Sequence, residues 1–166
     1  VDISPEQVAL ARQLHGDVVQ GDVIEFLRQS PGKIDLLTAI DILEHMEKPE
    51  VLEFLDLCHA ALRPGGRLIV QCPNGESPYC GAYFHGDFTH ATCFNPRSLR
   101  QVFTACGFGG FQAREQPPVP HGPASMLRSL AWKCIRFGRK IADIIETGST
   151  GSGVYTRVFL ASGLKQ

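Results

Sequence analysis

The chain has 166 residues, 43% of them hydrophobic and 20% charged, with a net charge of −1. That is enough for one domain with a real core, and no run is long and apolar enough to span a bilayer. The near-neutral total hides an asymmetry: residues 1–87 carry 14 acidic and 6 basic side chains, whereas residues 88–166 carry 3 and 10. Two explanations stand. Either a cofactor-holding half precedes a substrate-facing half, or acidic helices pack beside basic ones. Six cysteines without paired spacing and the lack of a charged-then-apolar leader predict reduced thiols and a cytoplasmic protein.

Ser4 is a good N-cap with Pro5 at the first helical position, which predicts a helix to about Leu14. A brief strand is expected over Asp17–Gln20, then a helix over Ile24–Gln29 with Asp22 able to cap it. The turn Ser30-Pro31-Gly32-Lys33 lacks the Gly-x-x-x-x-Gly-Lys spacing of a phosphate loop. Ile34–Ile40 is an apolar run of the kind buried on both faces of a parallel sheet. Pro49 opens a helical pattern with Val51, Leu55, Cys58 and Leu62 on one face, and Arg63-Pro64-Gly65-Gly66 should stop it, with a glycine in the left-handed cap. Arg67–Cys72 is the next strand, ended by Pro73-Asn74. Strand, crossover helix and strand make a right-handed parallel unit, whose ligands belong beyond the strands' carboxyl ends, at Ile40–His45 and Cys72–Asn74.

Residues 75–97 lack periodicity, are rich in aromatics and are broken by glycines, and a loop that long is usually functional. Its Cys72, Cys80, His85, His90 and Cys93 offer zinc ligands by type, but not with the paired spacing zinc sites show. A helix is expected over Ser98–Cys106, started by Asn95-Pro96 and capped at Gly107, then a strand over Phe108–Glu115 and a stiff Pro-rich connector. Residues 124–146 are the clearest amphipathic helix: Leu127, Leu130, Cys134, Phe137, Ile141 and Ile144 form a stripe, with Arg128, Lys133, Arg136, Arg139 and Lys140 opposite and Trp132 on the flank. Such a helix either covers a core with a basic outer face, or lies on an anionic membrane or meets a phosphorylated lipid-linked substrate. A flexible linker and a last strand over Val154–Ala161 follow.

Three stretches carry a resemblance: Asp2-Ile3-Ser4-Pro5, Asp41-Ile42-Leu43-Glu44-His45-Met46, and Leu62–Asn74 with its Arg-Pro-Gly-Gly turn. Together they resemble the class I S-adenosylmethionine-dependent methyltransferases, in the small-molecule branch with Leu-Glu-His after the fourth strand. The resemblance implies a doubly wound, mostly parallel Rossmann-like α/β sheet with an antiparallel last strand. It makes residues 1–166 a single methyltransferase domain, with 75–97 as a substrate lid and 124–146 as a basic helix. It also implies that the first strand and the glycine-rich loop precede Val1, the strand lying between the one that ends at Asp2 and Ile34–Ile40, so residues 1–166 alone are expected to bind the cofactor poorly and to be inactive.

By the same resemblance Asp2, with Ile3, holds the cofactor ribose, Asp22 accepts from the adenine amino group, Val23 packs on the ring, and Ile40 and Asp41 pass beneath adenine and sulfonium. Asp41, Glu44 and His45 match an acid-x-x-Glu-His group that holds magnesium in ubiquinone-type O-methyltransferases; the other reading is a pocket lined without metal, and the site is read as metal-free. Asp87, Thr89 and His90 match the lid motif. His90, with His45 beside it, is the candidate base or orienting group, or else the three residues only pin the loop. The implied activity is methylation of an oxygen or nitrogen on a small molecule, or on a glycan or lipid-linked intermediate. Peripheral membrane contact through 124–146 is an open possibility, and no nucleic-acid partner is expected. The rival is a methyltransferase-like fold that serves as a binding subunit.

Overall fold

A computed structural model describes residues 1–166. Its centre is a four-stranded sheet in the order β1-β2-β4-β3, formed by β1 (Ile34–Ile40), β2 (Leu62–Pro73), β3 (Phe108–Glu115) and β4 (Val158–Lys165). β1 and β2 pair parallel, while β4 runs antiparallel to β2 on one side and β3 on the other. Three strands therefore share a direction and the last opposes them, as expected. Helices α1 (Pro5–Arg12), α2 (Val23–Arg28), α3 (Lys48–Ala61), α4 (Cys80–Phe84), α5 (Pro96–Ala105) and α6 (Pro123–Thr147) complete the chain.

Local chemistry sets most of these boundaries. The Ser4 and Asp22 side chains accept N–H groups at the starts of α1 and α2, and Asn95 does so for α5. Glu50 reaches back to the Glu47 N–H at 2.7 Å and closes the start of α3. Val51, Phe54, Leu55, Cys58 and Ala61 bury the inner face of α3 in one 20-residue core cluster with Leu68, Val70, Leu99, Phe103 and Phe159.

Four expectations are corrected. α3 does not end on a left-handed glycine: Leu62 is extended and already pairs with Ile34 of β1, which takes it out of the helix. Arg63–Gly66 instead bulge out of β2 before Arg67 meets Leu36, with Gly65 at φ +78°. β1 is not buried on both faces. It is an edge strand, only Ala39 is fully buried, and Leu36 and Ile40 stand about half exposed. An apolar groove of about 350 Å³ runs along it, bounded on the far side by Val1, Val19 and Val23. Asp17–Gln20 forms no strand, only a single parallel bridge from Gln20 to Asp2. The last strand starts at Val158 instead of Val154, since the buried Asn74 amide donates to the Val154 and Thr156 carbonyls and holds that segment out of the ladder.

For α6 the structure excludes one of the two readings left open. The helix does not cover a core with its apolar stripe. The side turned to the body is polar: Arg136 Nε lies 3.0 Å from Glu115 Oε2, and Asp143 Oδ2 accepts from the buried Tyr155 hydroxyl at 2.5 Å. Arg139 sits over the Tyr155 ring at 6.0 Å. The stripe Leu127, Leu130, Cys134, Phe137, Ile141 and Ile144 faces solvent. No helix is long and apolar enough to cross a membrane.

Candidate active site at the carboxyl edge of the sheet

β1 ends at Ile40, and Asp41 follows with φ +52°, a left-handed conformation that Asp tolerates better than most residues but at a cost in strain. The neighbouring strand holds it there. The Asp41 N–H donates to the Gln71 carbonyl at 3.1 Å, and the Gln71 amide donates to both Asp41 carboxylate oxygens at 3.1 Å. The Gln116 amide in turn donates to Gln71 Oε1. The sharp turn swings the next residues into a short 3-10 helix, Leu43–His45. Glu44 is thereby driven inward to 1% exposure, while His45 stays open to solvent.

Residues 75–97 close down on this turn. The Glu44 carbonyl accepts from the Ala91 and Thr92 N–H groups at 2.7 and 3.0 Å, and the Thr92 hydroxyl donates to the Met46 carbonyl at 2.7 Å. The far end is tied by the bridge between Asn74 and Phe94. The stretch expected as a plain loop carries the short helix α4, whose last residue, Phe84, is buried beside His90. Phe88 at its tip is fully exposed. Tyr83 overlooks the strand end. Burial first, then the nearby Asp41 and Glu44 carboxylates, push its phenol up from 10.0.

The result is a cluster of Glu44, His45 and His90 whose ligand atoms all lie within 4.8 Å of one another. Proton counting fixes both imidazoles. His90 Nδ1 lies 2.7 Å from the Phe84 carbonyl, which can only accept, so Nδ1 carries the proton and Nε2 keeps its lone pair. The Thr89 hydroxyl donates its one proton to Asp87 at 2.7 Å, so it accepts from His45 Nδ1 at 2.8 Å, and His45 Nε2 is likewise left basic. Hydrogen bonds from Thr89 hold the Asp87 carboxyl below its ordinary value. Glu44 goes the other way. Burial, with Asp41 adding to it, raises its carboxyl above 4.5 against the pull of its own backbone hydrogen bond and the two histidines. Its Oε2 is buried without a hydrogen-bond partner.

The acid-x-x-Glu-His group is therefore split. Glu44 and His45 join His90, while Asp41 is taken up by Gln71. Two imidazoles and a carboxylate suit zinc, manganese or iron better than magnesium, which prefers oxygen. The backbone and hydroxyl partners on each Nδ1 resemble the outer contacts that orient metal-bound histidines. The loop's cysteines take no part. Cys80 and Cys93 lie 3.6 Å apart away from this cluster, and Cys72 is buried with its thiol pushed well up by desolvation.

Of the other candidates Val23 lines the groove beside β1, while Asp2, Ile3, Asp22 and Ile40 lie outside its lining. Asp2 Oδ1 accepts from the Ser4 N–H, and Asp22 Oδ1 from those of Ile24 and Glu25, which leaves the second oxygen of each carboxylate without a protein donor. The bridge to Gln20 and the Gly21 N–H to the Asp2 carbonyl bring Asp2 next to Asp22. Val23 lines the groove, Ile3 is 71% exposed, and Ile40 stands at the strand tip.

A family model for a methyltransferase domain matches residues 1–112, two thirds of the chain. The chain belongs to the methyltransferase domain family. Its curated relatives include a ubiquinone biosynthesis O-methyltransferase of Xylella fastidiosa, 33% identical over 81 residues, a match covering 45% of this chain and 32% of that protein. The protein of the same description from Xanthomonas campestris pv. campestris is 35% identical over 81 residues, covering 45% and 33%. The matched part thus spans about a third of the length of these relatives. Among solved structures, SAM-dependent methyltransferases from Archaeoglobus fulgidus and Thermotoga maritima superpose with TM-scores of 0.66 and 0.68 at 18% and 16% identity. They cover 98% and 99% of this chain and 73% and 71% of their own. Human N-acetylserotonin methyltransferase in complex with SAM gives 0.62 at 16%, covering 99% of this chain and 39% of its own. At such identities the superpositions establish the fold.

Within this methyltransferase domain, Asp41's left-handed backbone, the Gln71 grip on it and the burial of Glu44 are features the sequence reading missed. A non-glycine at positive φ and a glutamate driven under a turn leave no trace in periodicity.

Proposed function

We propose that the chain catalyses S-adenosylmethionine-dependent methylation of a hydroxyl on a small molecule, with His90 as the base. The single observation that carries this is the hydrogen bond of His90 Nδ1 to the Phe84 carbonyl, which leaves Nε2 as the free ring nitrogen at the carboxyl edge of the sheet. Two carboxylates near the groove suit the cofactor: Asp2 and Asp22 each keep an oxygen for ribose or adenine donors, and Val23 lines the groove itself. When bound, the cofactor supplies a methyl sulfonium as electrophile. The chain's part is to align the acceptor oxygen with that methyl group and take its proton onto His90 Nε2, with His45 beside it to orient the hydroxyl. Relatives described as O-methyltransferases favour oxygen over nitrogen. A sugar hydroxyl or a lipid-linked acceptor falls within the same chemistry.

A metal-assisted form of the reaction is favoured by one observation, the buried Glu44 Oε2 without a hydrogen-bond partner, in a residue whose ligand atoms lie within 4.8 Å of those of His45 and His90. Glu44, His45 and His90 would be its ligands, and the ion would make a bound hydroxyl easier to deprotonate.

The test uses the protein with S-adenosylmethionine and catechol as probe acceptor, reading S-adenosylhomocysteine release. Turnover that needs catechol supports the reading. Cofactor binding without turnover on catechol, simple alcohols or amines would favour the binding-subunit rival. Calorimetry with zinc and manganese addresses the ion: binding lost in Glu44→Gln supports it, and full activity in excess chelator removes it.

A further inference from the structure

α6 turns its polar side to the body and its apolar side out. Viewed down its axis, Leu127, Leu130, Phe137, Ile141, Ile144 and Ile145 lie on one half of the cylinder, and each is 42–80% exposed. The orientation is enforced from the other half. Rolling the helix inward would break the Arg136–Glu115 pair and take Asp143 from Tyr155. Exposed apolar patches of this extent mark contact surfaces.

Charge says what the surface meets. From Pro123 to Ala142 the helix holds five basic residues and no acidic one. Lys133 and Lys140 border the apolar half on one side and Arg128 on the other. Asp143 is turned inward to Tyr155, so Glu146 in the last turn is the one acid at the border. A second copy of the chain would bring Lys133 and Lys140 together along one edge of a helix pair, while Arg128 and Glu146 share the other edge. It would also cover only a narrow seam of an apolar arc half a cylinder wide. An anionic lipid surface accepts the full arc and neutralises the Lys133–Lys140 border, with lysine and arginine stems reaching back to the headgroups. Since no helix can span a bilayer, the helix would lie in the interface.

We infer that α6 is a peripheral membrane anchor whose outward apolar face, bordered by Arg128, Lys133 and Lys140, inserts at an anionic lipid surface while its polar face holds the catalytic domain on the aqueous side. The inference does not depend on methyl transfer.

The experiment is co-sedimentation of the protein with vesicles of phosphatidylcholine alone and of phosphatidylcholine with phosphatidylglycerol, alongside light scattering of the protein by itself. The expected result is binding to the anionic vesicles at least tenfold stronger than to the neutral ones, weakened by salt. Leu130→Glu with Phe137→Glu should reduce it at least tenfold with an unchanged circular dichroism spectrum, and Lys133→Glu should reduce it less. Equal binding to both vesicle types, or none to either, overturns the inference. So does a stable dimer that Phe137→Glu dissociates, since the face would then be an interface between copies.

Discussion

Helices α3 and α6 carry the same sequence signal and end in opposite states. Both start at a proline in the first turn, and both repeat apolar residues at helical spacing. In α3 the stripe is buried, with Leu55 and Ala61 at 0% exposure; in α6 the stripe is the exposed side. What differs is the partner the rest of the chain offers. α3 is the crossover between two parallel strands and must lie on the sheet. α6 joins two antiparallel neighbours through long connections on each side, and the groups awaiting it, Glu115 and Tyr155, are polar. Periodicity reveals that a helix has two faces; the chemistry of the opposing surface decides which one is turned in.

Four substitutions sharpen or break this contrast. Phe54→Ala in α3 should cost about 3–5 kcal/mol in denaturant unfolding, since it opens a cavity in the core. A loss under 1 kcal/mol would mean α3 is not packed as described. Glu44→Gln addresses a buried polar group in place of an apolar one. Because burial raises the folded-state carboxyl above 4.5, the native state holds its proton more tightly than the unfolded state. Its stabilising effect is therefore full at low pH and falls as pH rises from 4.5 through the raised value. Denaturation from pH 4 to 8 should show that fall in the wild type and a flatter profile in Glu44→Gln; parallel profiles would contradict the burial of Glu44.

Glu115→Ala should cost about 1–2 kcal/mol, because it strips the partner from Arg136 and the acceptor of the Tyr155 N–H. The loss should appear as faster hydrogen exchange along α6 while β2 stays protected. Uniform acceleration would mean that α6 is part of the core after all. Phe137→Ala, 67% exposed, should change stability by no more than about 0.5 kcal/mol, and a cost near that of Phe54→Ala would reverse the orientation of α6.

Much of the fold was legible in the sequence. β1 and β3 fall at the expected residues, and α1, α2, α3, α5 and α6 begin within two residues of their predicted starts, because proline and capping side chains act locally. Errors arose where a distant group intervened. Asn74 delayed β4, and the pairing of Leu62 with Ile34 moved the end of α3. The site divides the same way. His45, Glu44 and His90 were marked by residue type and motif, and the structure brings them together across 45 residues of chain. The tautomers, and the loss of Asp41 from that group to Gln71, depend on hydrogen bonds between strands and loops that the sequence does not encode locally.

His90 Nε2 is the proposed proton acceptor. The decisive measurement is turnover of His90→Gln with S-adenosylmethionine and catechol, alongside calorimetric titration of the cofactor. The account predicts kcat lower by about 10²–10⁴ with cofactor affinity unchanged, since the imidazole takes the proton and does not hold the cofactor. Wild-type kcat in His90→Gln would contradict it.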